Sequence, residues 1–166
     1  MAVLNMKLTT LNYNIKFSFP TVSVGNRSKF EAVIGTQGMR QTNENFGEEL
    51  LIPNATTNDM GFYGTSNYEW GKNIIQAGIR FDSRAISSIT NGIEGEEGYF
   101  EAIDKKFQSF NSSLGFKTNL KENLTLRLNT ATGFRAPNLA ELTSNGVHEG
   151  SNRYEIGNAN LRNEQN

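Results

Sequence analysis

The sequence predicts an all-β chain, an antiparallel up-and-down meander of about six strands, each with one apolar and one polar face. Three observations carry that expectation. Apolar residues recur at every second position, the alternating runs last about ten residues each, and short and long polar connections follow one another in strict alternation.

The first strand covers residues 10–19, where Leu11, Tyr13, Ile15, Phe17 and Phe19 point one way and Thr10, Asn12, Asn14, Lys16 and Ser18 the other. The second sets Phe30, Ala32 and Ile34 against Lys29 and Glu31, with Val33 as the one exception. A weaker third run places Met60, Phe62, Tyr68 and Trp70 opposite Asp59, Tyr63, Thr65, Asn67 and Glu69. The fourth alternates Ile75, Ala77, Ile79 and Phe81 with Gln76, Gly78, Arg80 and Asp82. The fifth sets Phe110, Leu114 and Phe116 against Asn111, Ser113 and Lys117, and the sixth Leu124, Leu126 and Leu128 against Thr125, Arg127 and Asn129. Turns are expected at residues 71–73 and 119–123, with a modest one at 21–28, and long loops at 42–58, 84–106 and from 135 onward. In the second long loop Phe100, Ile103 and Phe107 have the spacing of a short helix, and Glu94, Glu96, Glu97, Glu101 and Asp104 lack the ligand spacing of a calcium loop.

Two architectures accommodate such strands. A soluble β-sandwich also alternates apolar and polar residues. Runs of about ten residues exceed the usual 5 to 6 of a globular strand and match the 9 to 11 that cross a bilayer when tilted. The apolar face is rich in Phe and Leu throughout, as a lipid-facing band requires. The polar face carries Lys16, Glu31, Arg80, Asp82, Lys117 and Arg127, which a wet lumen tolerates. Tyr68 and Trp70 stand beside a short turn, where an interfacial aromatic girdle would lie. Periodicity alone leaves part of a transmembrane barrel and a soluble sandwich binding module as equal contenders.

Composition removes other classes. A formal net charge of -1 over 166 residues gives no electrostatic footprint for nucleic acid. The chain has no cysteine, hence no disulfide framework, thiolate metal site or cysteine nucleophile, and it has a single histidine. No nucleophile elbow, zinc-binding helix or phosphate-cradling glycine loop is present, so neither an enzyme nor a bound cofactor or metal is expected. No apolar run approaches the roughly 18 residues of a membrane helix, and the first residues lack a signal-peptide pattern.

Two boxes near the end separate the contenders. Gly133, Phe134, Arg135, Ala136 and Pro137 form a GFRAP box at the end of the sixth strand, and Asn158, Asn160, Leu161 and Glu164 fit an NPxLxxE box downstream. In that order and spacing they resemble the paired signatures of TonB-dependent outer-membrane receptors. Ala159 stands where that family commonly has proline. The alternation places Phe134 on the apolar face and Arg135 on the polar one, with Glu141 and Glu164 as candidate partners for the guanidinium. Pro137 has no N–H to give a ladder and so suits the point where regular pairing stops. The residues after it are expected to form a polar outer loop that folding does not require.

The resemblance implies a receptor of the bacterial outer membrane, a plugged barrel of 22 strands, surrounded by lipid and energised by a TonB-type coupling protein through the plug. Residues 1–166 would then be an internal part of the barrel domain, with neither the plug nor the terminal strand, and long loops outside. It also implies energised uptake of a scarce nutrient, a ferric siderophore in the first reading. A haem receptor is the alternative, because His148 lies between the two boxes as a loop imidazole does in haem receptors. Glu149, Arg153 and Tyr154 would serve either ligand.

Overall fold

The computed structural model describes residues 5–25, 27–47, 50, 52–95, 98–148 and 153–166, without the side chains of 147, 148 and 153. Six long strands build its wall: β1 Met6–Ser18, β3 Ser28–Asn45, β4 Ala55–Trp70, β5 Asn73–Ser88, β6 Asp104–Lys121 and β7 Leu124–Ala131. They pair in chain order, each antiparallel to the next, and the short β2 Val22–Ser23 adds to β3 below β1. The edges are β1 and β7. Beyond β7 come β8 Phe134–Arg135, the helix α1 Leu139–Thr143, β9 Asn145–His148, β10 Arg153–Ile156 and β11 Glu164–Gln165, with β9 paired to β10 and β8 to β11.

Tight turns set the register. Trp70 pairs with Asn73 across the positive-φ Gly71, and that pairing fixes every later one between β4 and β5, including Phe62 with Phe81 and Asp59 with Arg84. At the next turn Lys121 pairs with Leu124, but Asn119 pairs with Thr125, so a bulge intervenes. The extra residue keeps Leu128 beside Phe116 and Arg127 beside Lys117. Without it the whole of β7 would turn its leucines to the polar side.

The apolar face is open. Leu11, Ile15, Ile34, Phe62, Ile79, Phe110, Leu114 and Leu128 all remain exposed. Soluble monomers rarely leave so continuous a patch to water. Cross-strand pairing arranges the face in rows. Trp70 lies level with Leu126, Tyr68 with Ile75, Phe116 and Leu128, and Met60 with Tyr13 through Gly38. One row beyond Met60 come Arg40, Asn58 and Lys106. From Trp70 to Met60 the band is ten residues tall, about 33 Å along the strands, or about 25 Å of depth at a tilt of about 40°. That is the height of a lipid-facing band. Tyr68 stacks on Trp70 at 5.3 Å and Trp70 leans toward Phe116 at 6.4 Å, closing the band with an aromatic belt.

Two expectations change. The strands run past the alternating pattern: residues 42–45 and 55–58 belong to β3 and β4, residues 84–88 to β5, and residues 104–106 to β6. Above the apolar band the outward face turns polar as well, so hydropathy loses its period while backbone pairing continues. Phe100, Ile103 and Phe107 form no helix. Phe100 pairs with Asn91 in an isolated bridge and Phe107 lies within β6, yet all three are buried. Leu126 lies level with Trp70 at one end of the band, and Ile79 and Leu114 lie near its middle.

Candidate functional site

The polar face becomes a site at its outer end, where the chain after β7 folds back over it. Thr132 is the last residue joined to β6, its N–H donating to the Ser112 carbonyl at 2.9 Å and its hydroxyl accepting from the Ser112 N–H at 2.9 Å. Gly133 and Asn166 then exchange two backbone bonds of 3.1 and 2.9 Å, and β8 continues that ladder with β11. Side chains cover the outer half of β6 that β7 no longer pairs: Asn163 donates to the Gln108 carbonyl at 3.0 Å and Gln165 to that of Phe110 at 3.4 Å.

Past Pro137, Asn138 starts α1 with a capping box. Its Oδ1 accepts from the Glu141 N–H at 2.8 Å, and Glu141 Oε2 accepts from the Asn138 N–H at 2.9 Å. The helix turns Leu142 into a core of Ile86, Ile103, Phe107 and Ala136, against which Phe134, Leu139 and Ala159 pack. Leu142 is only 2% exposed. Two expectations are thereby corrected. The segment after Pro137 contributes buried core, and Phe134 packs on the polar side with Ile86 and Phe107. The ladder break at Thr132 and Gly133 ends the alternation that would have sent Phe134 outward.

Arg135 ties the two boxes together. Its Nη1 donates to both carboxylate oxygens of Glu141 at 2.8 and 3.0 Å, while Nε and Nη2 donate to Glu164 at 3.2 Å each. Both partners are those the sequence proposed. The Arg135 guanidinium holds the Glu164 carboxyl below its ordinary range. Glu141 is lowered first by the Asn138 N–H and then by Arg135. The two carboxylates raise Arg135 further above its ordinary value.

The second box closes the cap. Asn158 donates its N–H to the Glu141 carbonyl at 2.8 Å, and its side-chain oxygen and carbonyl accept from Asn160 at 2.9 Å and Leu161 at 3.2 Å. Gly157 donates to the Ser144 carbonyl at 2.6 Å, and a Cβ there would overlap the backbone of Leu142, Thr143 and Ser144. Only glycine fits this approach.

Between cap and wall lies a cleft of about 590 Å³, lined in part by Asn12, Asn14, Gln37, Arg80, Arg84 and Arg135. Arg84 donates to the two oxygens of Asp59 at 2.7 and 2.6 Å, and Arg80 binds Asp82 through Nε at 2.8 and 2.7 Å. The Arg80 guanidinium also lies 5.9 Å above the Tyr63 ring. The Arg80–Asp82 pair lies flat over Gly61, where a Cβ would strike both side chains. These pairings did not stand out in the sequence, yet the two-residue turn at Gly71 puts Asp59 opposite Arg84 and Tyr63 opposite Arg80.

Of the four ligand candidates only Tyr154 has a described side chain, and it is not among the residues that line this cleft. His148 and Arg153 are paired in the β9–β10 ladder, but their side chains, and all of Glu149, lie outside the described residues. Tyr154 is exposed and its hydroxyl donates to Asn145 Oδ1 at 2.9 Å. Among the described residues no cluster of His, Asp or Glu could hold a metal ion.

The family model for the TonB-dependent receptor-like β-barrel matches residues 4–166. The chain belongs to the TonB-dependent receptor family. Its apolar face is therefore a barrel exterior and its polar face a lumen wall. The solved structure of a double mutant of the Serratia marcescens hemophore receptor HasR, in complex with its hemophore HasA and heme, is similar at a TM-score of 0.80 and 15% identity. The likeness covers 96% of this chain and 28% of that one, so the chain spans little more than a quarter of the receptor it matches. Among curated proteins none matches.

Proposed function

We propose that this chain is part of the wall of an outer-membrane receptor that takes up a scarce iron chelate with energy supplied by a TonB-type partner acting through a plug. Residues 1–166 belong in this reading to the barrel domain of a longer protein, with lipid along β1 to β7. The observation that carries it is the Arg135-linked cap, folded across the outer end of an otherwise open lumen wall. A structure of that kind holds the outer rim at fixed geometry while leaving a polar cleft beneath it.

The ligand in the first reading is a ferric siderophore. Amides and guanidinium groups along the cleft offer donors to carboxylate, hydroxamate or catecholate oxygens, beside apolar surface from Met39, Met60 and Phe134, while haem calls in addition for an axial ligand. The haem reading rests on His148 in the β9–β10 hairpin and on the heme named for the similar receptor. Growth of a receptor-deletion strain carrying the intact receptor, with iron given as haem or as a ferric siderophore, separates the two. His148→Ala is expected to leave siderophore-supported growth intact. Growth on haem that falls selectively in this variant, at unchanged surface level, would establish the haem reading instead.

A further inference from the structure

Where α1 lies against the outer end of the wall, a second pocket sits beneath it. Strand pairing assembles its floor in rows on the polar face: Leu8 beside Asn43 and Asn43 beside Ala55, then Gln41 beside Thr57 and Thr57 beside Ile86. Leu139 and Ala140 of α1 close it from above, leaving a volume of about 290 Å³. Met39 and Arg84 line both this pocket and the larger cleft, so the two adjoin.

Most of the pocket surface is apolar, supplied by Leu8, Met39, Ile86 and Leu139. Several polar side chains at its border are engaged elsewhere. Arg84 donates to Asp59 at 2.7 and 2.6 Å, Gln41 Nε2 donates to Thr10 Oγ1 at 3.0 Å, and Asn138 Oδ1 accepts from the Glu141 N–H at 2.8 Å. Asn43 differs. It is only 5% exposed, its Nδ2 donates to the Pro53 carbonyl at 3.0 Å, and its Oδ1 has no partner among the described residues. The bond to Pro53 fixes which end of the amide is the acceptor. A buried acceptor without a donor is unfavourable, and water held among apolar side chains finds few partners of its own. A donor carried on an apolar group meets both conditions.

We propose that this pocket is a subsite for an apolar arm of the receptor's ligand, a neutral group carrying one N–H or O–H that donates to Asn43 Oδ1. At about 30 Å³ per atom, as in a liquid, the pocket holds an arm of about ten non-hydrogen atoms. Charge is disfavoured there, because Arg84 and Asp59 already neutralise each other. The inference rests on the reading of this chain as a receptor wall: the oxygen-rich part of the chelate lies in the adjoining cleft, and its arm reaches past Met39 under α1.

Two small amides test the pocket in the purified intact receptor held in lipid nanodiscs. N-methylbenzamide is a neutral apolar group with one N–H, and N,N-dimethylbenzamide lacks that donor. In ligand-observed NMR titrations the first should bind saturably and about tenfold more tightly than the second, the effect of one buried hydrogen bond. Asn43→Leu removes the acceptor at similar volume and should abolish the preference. Ala140→Trp fills the pocket from α1 and should abolish saturable binding of both amides. Thr57→Phe fills it from the wall and gives the same reading if the helix variant disturbs the cap, which limited proteolysis detects. Absence of saturable binding to the unaltered receptor, equal affinity for the two amides, or a preference that survives Asn43→Leu would overturn the proposal. Each of these results leaves iron-chelate uptake standing, because growth on a ferric siderophore tests that reading separately.

Discussion

The wall and the cap are held by different physics, although they share strands β5 and β6. Along the wall, backbone ladders do the holding, and large apolar side chains such as Leu11, Ile15 and Leu128 stay exposed in the chain itself. At the cap, Ile86, Ile103, Phe107, Ala136 and Leu142 bury one another as in a soluble domain. In the proposed outer-membrane setting the difference follows from the surrounding solvent. Lipid satisfies an apolar side chain but no backbone group, so the membrane part needs pairing and little packing. The rim meets water, where apolar burial is what stabilises.

The largest expected effect is in the cap. Leu142→Ala should destabilise it by about 2 to 5 kcal/mol, the usual range for emptying a buried leucine site. Limited proteolysis of the intact receptor should then cut within residues 137–166. Leu128→Ala, on the lipid face, should leave the protease pattern unchanged. Equal sensitivity in both variants would erase the distinction between cap and wall.

Depth sharpens the comparison next. Ile79→Arg, level with the middle of the apolar band, should cost about 2 to 4 kcal/mol, whereas Leu126→Arg, level with Trp70, should cost about 0 to 1. The measurement is the fraction of receptor assembled in the outer membrane. Comparable losses for the two would show that the aromatic row is not the inner boundary.

The smallest effect concerns the ion pairs of the cap, which are exposed and therefore weak. Both carboxyl pKa values are lowered in the folded state. Their contribution is thus fully present above the ordinary carboxylate range and is lost as pH falls through the lowered values. Arg135→Gln should return Glu164 toward its ordinary value, because Arg135 is its leading cause. Glu141 should stay depressed, held first by the Asn138 N–H. Carboxyl chemical shifts followed through a pH titration read both; a Glu141 shift as large as that of Glu164 would contradict the capping assignment.

Much of the wall was legible because a strand between lipid and water must alternate. Leu124 to Asn129 announced both its faces and its length. The outer ends were not legible, since residues 42–45 pair with β1, and 42–43 also with β4, while reading as loop. The partners of Arg135 were readable from chemistry alone, as few acids lay within reach of its box. Leu142 was hidden because a five-residue helix carries too few apolar positions to show a period, and its burial depends on Ile86 and Phe107 from distant strands. The Asp59–Arg84 pair lay within reach of the sequence through turn length, which fixes register without reference to charge.

The central claim is that one face of this sheet meets lipid and the other the lumen. The chain has no cysteine, so single cysteines carrying spin labels at Gln76, Ala77, Ser113 and Leu114 can be placed in the intact receptor in bilayers. Ala77 and Leu114 are cross-strand partners on the apolar face, and Gln76 and Ser113 lie on the other. The account predicts high collision rates with oxygen, which concentrates in lipid, at 77 and 114 and low rates at 76 and 113. Equal oxygen exposure at all four positions, or the reverse order, would contradict it.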